Sequence, residues 1–183
     1  PKGVVHTHTS IESQLKTLTE QWKWTYKDKT LNILPLNHIH GIINVLNSAL
    51  WVGASCELIS RFTVEKIWQK FCENNYTFFS SVPTIYRKLI DYYKKSTDQK
   101  KLTKSCNSFR LMMSGSAPLS APLFHQWKKI SGHELTERYG MTETGMILSN
   151  PIHPPKKAGY VGSPLKNMTI KFKDKETKEG SEL

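Results

Sequence analysis

A short segment near residue 140 holds the side chains of this sequence best suited to phosphate chemistry. Thr142 and Glu143 lie side by side within residues 139–145, between Gly140 and Gly145. A hydroxyl beside a carboxylate in a loop suits a phosphate oxygen and a Mg²⁺ ion held together. A capped turn without a ligand would use the same residues.

Arg138 directly precedes this segment. A guanidinium at the end of a strand can form a bidentate pair with a substrate carboxylate if it points into a crevice. The sequence leaves open a surface salt bridge with Glu137 or Glu134 instead.

Two pairs of histidines have the spacing of metal ligands. They are His6 with His8 and His38 with His40, and no third ligand is evident near either pair. The simpler interpretation is therefore that these histidines lie in loops, with their hydrogen bonds satisfied without a metal. His40, next to Gly41, is placed to donate a hydrogen bond to a substrate.

The segment at residues 114–119 is built from small residues. It reads Ser114, Gly115, Ser116, Ala117 and Pro118 before a leucine. Such a backbone can approach a flat ring or a phosphate closely, with N–H groups as donors, although a tight turn would look the same. The segment lacks the Gly-x-Ser-x-Gly pattern, which disfavours a nucleophile-elbow hydrolase.

Strands and helices alternate along the chain before these segments. We predict strands over residues 31–36, 55–59, 76–82, 109–113 and 134–138, and helices over 10–24 and 42–52 and beginning at Thr63, Pro83 and Ser120. Thr9 and Glu12 have the spacing of a capping box for the first helix. This alternation predicts an α/β fold, a mainly parallel sheet flanked by helices, with ligands at the carboxyl ends of its strands.

The character of the chain changes past residue 149, where proline and glycine become frequent. Met168, Ile170 and Phe172 alternate like an antiparallel strand. We therefore divide the chain into a central α/β part, residues 1–149, and the start of a smaller β subdomain, residues 150–183.

Composition narrows the classes of protein to which the chain can belong. The 183 residues include 38% hydrophobic residues, enough for a packed core, and carry a net charge of +11, which favours anionic partners. The three cysteines are too few for a disulfide framework. The longest apolar stretch, residues 41–53, is shorter than the roughly 20 residues that span a bilayer.

Four motifs, in this order, resemble the adenylate-forming acyl-CoA synthetase superfamily over nearly the whole chain. Residues 1–4 resemble the tail of its phosphate loop, residues 114–118 its adenine-side segment, residues 139–143 its Tyr-Gly-x-Thr-Glu motif, and residues 159–165 its Gly-x-Val-Gly-x-Pro turn. The resemblance is strongest to malonyl-CoA and methylmalonyl-CoA synthetases, in residues 34–41, 82–86 and 137–143. Arg138 distinguishes these synthetases from the many fatty-acyl and aromatic-acid members, which resemble one another in having a small residue at this position. A dicarboxylic acid needs the guanidinium, because one carboxylate must stay paired while the other reacts.

The resemblance implies a ligase whose substrates are ATP with Mg²⁺, a small carboxylic acid and CoA. It implies that Glu143 holds Mg²⁺, that Thr142 contacts a phosphate and that Lys2 lies near the pyrophosphate. Arg138 and His40 would hold the distal carboxylate. The residues implied in ATP or AMP binding are Lys2, Ser114, Gly115, Ser116, Ala117, Pro118, Tyr139, Gly140, Met141 and Thr142.

The sequence lacks three motifs that the superfamily has elsewhere. The glycine-rich part of the phosphate loop would precede Pro1, and the ribose-binding Tyr-x-Thr-Gly-Asp segment and the domain with the catalytic lysine would follow Leu183. We therefore expect a fragment of the N-terminal domain, truncated at both ends and inactive alone in malonate-dependent ATP–pyrophosphate exchange. Resemblance to the animal enzymes implies mitochondria.

Three other functions stay open. One is a short-chain or 3-oxo-acid CoA ligase in which Arg138 makes only a structural pair. Another is a remnant that folds without catalysis. The last is a basic module for RNA or anionic membranes that uses the eight basic residues between Arg87 and Arg110, although only Tyr92 and Tyr93 there could stack on bases. We expect no nucleic-acid partner.

Overall fold

Strands and short helices alternate through most of the chain. The computed structural model describes residues 3–59, 61–73 and 75–171. The strands are β1 Lys29–Asn32, β2 Ser55–Leu58, β3 Phe78–Ser81, β4 Leu111–Ser114, β5 Thr136–Met141, β6 Gly145–Ser149 and β7 Ser163–Pro164. The helices are α1 His8–Gln21, a π-helix His40–Asn47, α2 Ser48–Trp51, α3 Val64–Glu73, α4 Pro83–Lys95, α5 Gln99–Ser105 and α6 Ala121–Ser131.

The strands form one sheet in the order β2-β1-β3-β4-β5-β6-β7. The pairs from β2 to β5 are parallel, and β6 and β7 are antiparallel to their neighbours. The predicted α/β class is confirmed. Because the chain leaves β1 towards β2 and returns to β3 on the other side of β1, the strand order reverses between β1 and β3. Ligands of open α/β sheets bind at such a reversal, at the carboxyl ends of the strands.

Successive residues of the central strands point to opposite faces of the sheet and build two cores. Phe79 and Met112 pack with α3, α4 and α6 on one face, whereas Phe78 and Met113 pack with α1 and α2 on the other. The two helical layers therefore cover both faces of the parallel strands. In the part of the chain that the structure describes, no helix is long and apolar enough to cross a membrane.

Most element boundaries differ from the prediction by a few residues, and helix α5 was not predicted. Local hydrogen bonds explain two of the differences. The predicted capping box of Thr9 and Glu12 is wrong. The first helix begins two residues earlier than predicted, because Thr7 caps it by accepting a bond from the N–H of Ser10. Strand β1 ends at Asn32 because its side chain accepts the N–H of Leu34 at 3.1 Å and donates to the carbonyl of Gly41 at 3.0 Å. Asn32 thus starts the turn that leads into the π-helix.

The predicted loop at residues 139–145 is largely a β-hairpin. Strand β5 continues to Met141, and β6 begins at Gly145, with a register shift between Tyr139 and Gly140. A Cβ on Gly140 would overlap the carbonyl of Gly145, so this close approach requires glycine. The antiparallel part of the sheet therefore starts with this hairpin, and the division of the chain at residue 150 stays a prediction.

The predicted strand from Met168 is not formed where the structure can test it. Residues 168–171 are irregular, and Phe172 lies outside the described residues. The N–H of Met168 donates to the carbonyl of Leu165 at 3.0 Å, so Met168 closes a tight turn instead of starting a paired strand.

An ion pair joins the amino ends of three parallel strands. Asp28 is 3% exposed and accepts two hydrogen bonds of 2.7 Å from Arg110 and one of 2.6 Å from the hydroxyl of Thr77. The N–H of Thr25 donates to the same carboxylate. Burial alone would raise the pKa of Asp28, but these donors outweigh it and hold the pKa below its usual value.

We predict that Asp28→Ala lowers the free energy of unfolding by about 2 kcal/mol, because it leaves Arg110 without its carboxylate while Arg110 keeps partial access to water. The measurement is urea unfolding followed by circular dichroism. Glu12→Ala is the control, because Glu12 forms only an exposed pair with Lys16 and its loss should have no measurable effect. Equal unfolding midpoints for both variants would contradict the role assigned to Asp28.

Candidate active site

The start of the π-helix packs against the carboxyl end of β3 and the loop after β4, next to Arg138 of β5, and we call this region the crevice. His40, at the start of the π-helix, is 4% exposed. Its Nε2 lies 2.8 Å from the hydroxyl of Ser80 in β3, and its Nδ1 lies 3.1 Å from the hydroxyl of Ser116 after β4. One imidazole therefore links three segments that are far apart in sequence.

The guanidinium of Arg138 is buried in the same crevice. Arg138 is 3% exposed, and a Cβ added to Gly115 would overlap its guanidinium, so the two residues are in close contact. Within the described ranges, its Nε and Nη2 have no hydrogen-bond partner. The salt bridge that the sequence left open is not formed, because Glu137 accepts the N–H of Leu119 and Glu134 pairs with Lys128.

Burial changes the titration of both groups. Burial lowers the pKa of Arg138 to about 10, which still leaves the guanidinium charged at physiological pH. Burial, the charge of Arg138 and the neighbouring His38 together hold the pKa of His40 well below its usual 6.5. The crevice therefore presents one cation and a neutral imidazole, and a buried cation with free donors favours an anionic ligand.

The hairpin between β5 and β6 carries the candidate phosphate and metal residues. Thr142 and Glu143 are exposed in its turn, and Nε2 of His6 donates to the carbonyl of Thr142 at 2.6 Å. Glu143 lines a cavity of about 240 Å³. Other walls of this cavity are formed by α1 and by Ile39 and Asn44, which flank His40 in the sequence.

A Mg²⁺ ion fits the chemistry of Glu143. In proteins Mg²⁺ is bound through one or two carboxylates together with substrate phosphates and water. Among the residues that the structure describes, no three His, Cys, Asp or Glu side chains form a metal cluster, and neither predicted histidine pair gains a third ligand. Glu143 could hold the ion if a nucleotide supplied the remaining oxygens.

The segment that resembles the adenine-side segment has an exposed part, residues 116–118, which lies beside the crevice and which we call the ledge. Ser114 and Gly115 are buried, whereas Ser116, Ala117 and Pro118 are exposed and Ser116 has φ +64°. Tyr139 and Met141 are 43% and 42% exposed at the end of β5. The ledge and the strand thus leave a surface free for a flat ring.

The structure brings some of the predicted residues together. Contacts join His40, Gly115, Ser116 and Arg138 in the crevice, while Tyr139, Gly140, Met141, Thr142 and Glu143 follow Arg138 along its hairpin. Lys2 lies outside the described residues. Ser80 and the bond from His6 were not predicted, because a serine in a strand and an exposed histidine give no signal of their own.

The chain belongs to the AMP-binding enzyme family, which it matches over residues 1–182. The mitochondrial malonate–CoA ligase of Xenopus laevis is 42% identical over 179 residues, covering 93% of this chain and 31% of the relative. ATP-bound MatB from Rhodopseudomonas palustris superposes with a TM-score of 0.80 at 34% identity, over 90% of this chain and 31% of MatB.

A malonyl-CoA ligase with methylmalonyl-CoA and AMP bound superposes with a TM-score of 0.81 at 32% identity. It is matched over 90% of this chain and 35% of its own length. The chain therefore spans about a third of the length of these relatives. The predicted family is confirmed.

We predict that Gly115→Ala displaces the guanidinium of Arg138 and destabilises the fold by about 1–3 kcal/mol, the usual cost of overpacking. The measurement is urea unfolding of Gly115→Ala, Arg138→Gly and the double variant. In the Arg138→Gly background the new methyl group meets no guanidinium, so the second substitution should cost much less. If the two substitutions changed the free energy of unfolding additively, the contact between Gly115 and Arg138 would be contradicted.

We predict that His40 makes the protein less stable as the pH falls. With its pKa well below 6.5, His40 stays neutral in the folded state while the unfolded chain takes up a proton below that pH. This difference lowers the free energy of unfolding as the pH falls from 7 to 5. His40→Gln should lose that part of the pH dependence in urea unfolding, and an unchanged dependence would refute the prediction.

Proposed function

We propose that this chain supplies the acid-binding crevice and part of the nucleotide site of an ATP-dependent CoA ligase for malonate or methylmalonate. The observation that carries the proposal is the guanidinium of Arg138, which is buried with free Nε and Nη2 donors. Malonate ligases among the relatives support the same substrate class.

The proposed reaction has two steps. An oxygen of one carboxylate attacks the α-phosphate of ATP and expels pyrophosphate, which leaves an acyl-AMP. The thiol of CoA then attacks the acyl carbon, loses its proton and expels AMP, which leaves the thioester. Charge develops on phosphate oxygens in the first step, so positioning and electrostatic stabilisation supply most of the catalysis.

We assign the candidate site residues the following roles in this reaction. Arg138 binds the carboxylate that does not react, with both free donors. Neutral His40 donates to that carboxylate by exchanging one of its two serine partners, Ser80 or Ser116, for it. The ledge at residues 116–118 and Tyr139 pack on the adenine. Thr142 contacts a phosphate oxygen, and Glu143 holds Mg²⁺, which neutralises charge on the phosphates.

The alternatives fit the structure less well. In a short-chain or 3-oxo-acid ligase Arg138 would make a structural pair, yet none is present among the described residues. In the RNA-binding alternative Tyr92 and Tyr93 would stack on bases, but both pack against the hydrophobic core. The complete protein would act in mitochondria if it shares the location in the relative's name.

We predict that Arg138→Gly in the full-length protein lowers kcat/KM for malonate at least about 100-fold, the value of a charged bidentate pair. Propionate, which has no second carboxylate, should be used better than by the wild type. AMP formation with each acid is the measurement, and Arg138→Lys is the control because it keeps the charge but loses the fork. Unchanged selectivity in Arg138→Gly would refute the carboxylate-binding role.

A further inference from the structure

Strand β5 contacts the loop at residues 114–119 from both faces of the sheet. On one face the guanidinium of Arg138 lies against Gly115. On the other face, the carboxylate of Glu137 accepts the N–H of Leu119 at 2.9 Å. Neighbouring residues of a strand point to opposite faces, so this one dipeptide fixes both ends of the loop.

The carboxylate of Glu137 is in an unfavourable place for stability alone. Glu137 is 5% exposed, and its Oε2 has no partner within the described ranges. Ser114 and Ser81 pair with it in register across β4 and β3, and their buried hydroxyls lack partners there too. Apolar side chains at these three positions would destabilise the fold less than buried polar groups without partners. The three polar residues therefore call for an explanation other than stability.

The loop that Glu137 holds carries the partners of both crevice residues. Its Ser116 hydroxyl lies 3.1 Å from Nδ1 of His40, and its Gly115 leaves the space that the guanidinium of Arg138 occupies. The far end of the loop is fixed at Leu119, which is 2% exposed in the core. A shift of the loop would therefore move His40 and Arg138 relative to each other.

We propose that Glu137 is a positioning residue, which sets the spacing of His40 and Arg138 by holding the backbone N–H of Leu119. It touches no substrate in this scheme and acts through the loop. The inference rests on the proposed function for its kinetic consequence, but the contact itself can be measured without catalysis.

The test compares two substitutions with a matched control in the full-length protein. Glu137→Gln keeps a side-chain oxygen for Leu119, whereas Glu137→Met has similar length and no acceptor. Glu134→Met is the control, because Glu134 also accepts a backbone N–H, that of Lys156 at 2.6 Å, and pairs with Lys128 away from the crevice. Each methionine variant thus removes a carboxylate that accepts one backbone N–H; the bond to Glu137 is buried and the bond to Glu134 is partly buried.

We expect Glu137→Met to raise KM for malonate about 10-fold, the effect of one lost hydrogen bond, with a smaller change in kcat. Glu137→Gln should stay within about twofold of the wild type, and so should Glu134→Met. Wild-type kinetics in Glu137→Met would overturn the proposal. Equal impairment in Glu137→Gln and Glu137→Met would also overturn it, because the charge rather than the acceptor would then matter.

Hydrogen exchange measured by mass spectrometry provides the readout that needs no activity. Peptides covering residues 114–119 should exchange about 10-fold faster in Glu137→Met than in the wild type, Glu137→Gln or Glu134→Met. Unchanged exchange there would overturn the positioning role even if the protein were inactive with malonate. Failure of the proposed function would appear separately, as a wild type that forms no AMP with malonate.

Discussion

The buried cation of Arg138 is the constraint on which the rest of the crevice depends. A guanidinium can leave water only if an anion or a set of acceptors replaces the lost hydration, and here two donors have neither among the described residues. Around it the protein supplies Gly115 and the neutral imidazole of His40. These surroundings strengthen any ion pair formed in the crevice, because little water is present to screen it.

The geometry of the sheet brings this cation to the candidate nucleotide site. The strand order reverses beside β1, so the π-helix that carries His40 folds over the ends of β3 and β4. Strand β5 then passes the crevice at Arg138, shifts register between Tyr139 and Gly140, and ends at Met141 just before the turn that carries Glu143. The proposed acid and phosphate sites thus lie on one β-hairpin, which suits a reaction between the two substrates.

Much of this arrangement could be predicted from the sequence. Helical and strand periodicity gave the α/β class, and Arg138 stood out because a charged residue at the end of a buried strand is rare. The unpaired state of its guanidinium could not be predicted, since it depends on the positions of Glu134 and Glu137 after folding. The hairpin at residues 139–145 was also missed, because turn residues alone do not show that β5 continues past Tyr139.

A crystal structure of the full-length protein with malonate and a non-hydrolysable ATP analogue would test the central claim most directly. The account predicts one carboxylate of malonate within hydrogen-bond distance of Nε or Nη2 of Arg138, with His40 as a second donor and the other carboxylate facing the α-phosphate. Malonate bound away from Arg138, or Arg138 paired with a protein carboxylate in the complex, would contradict it.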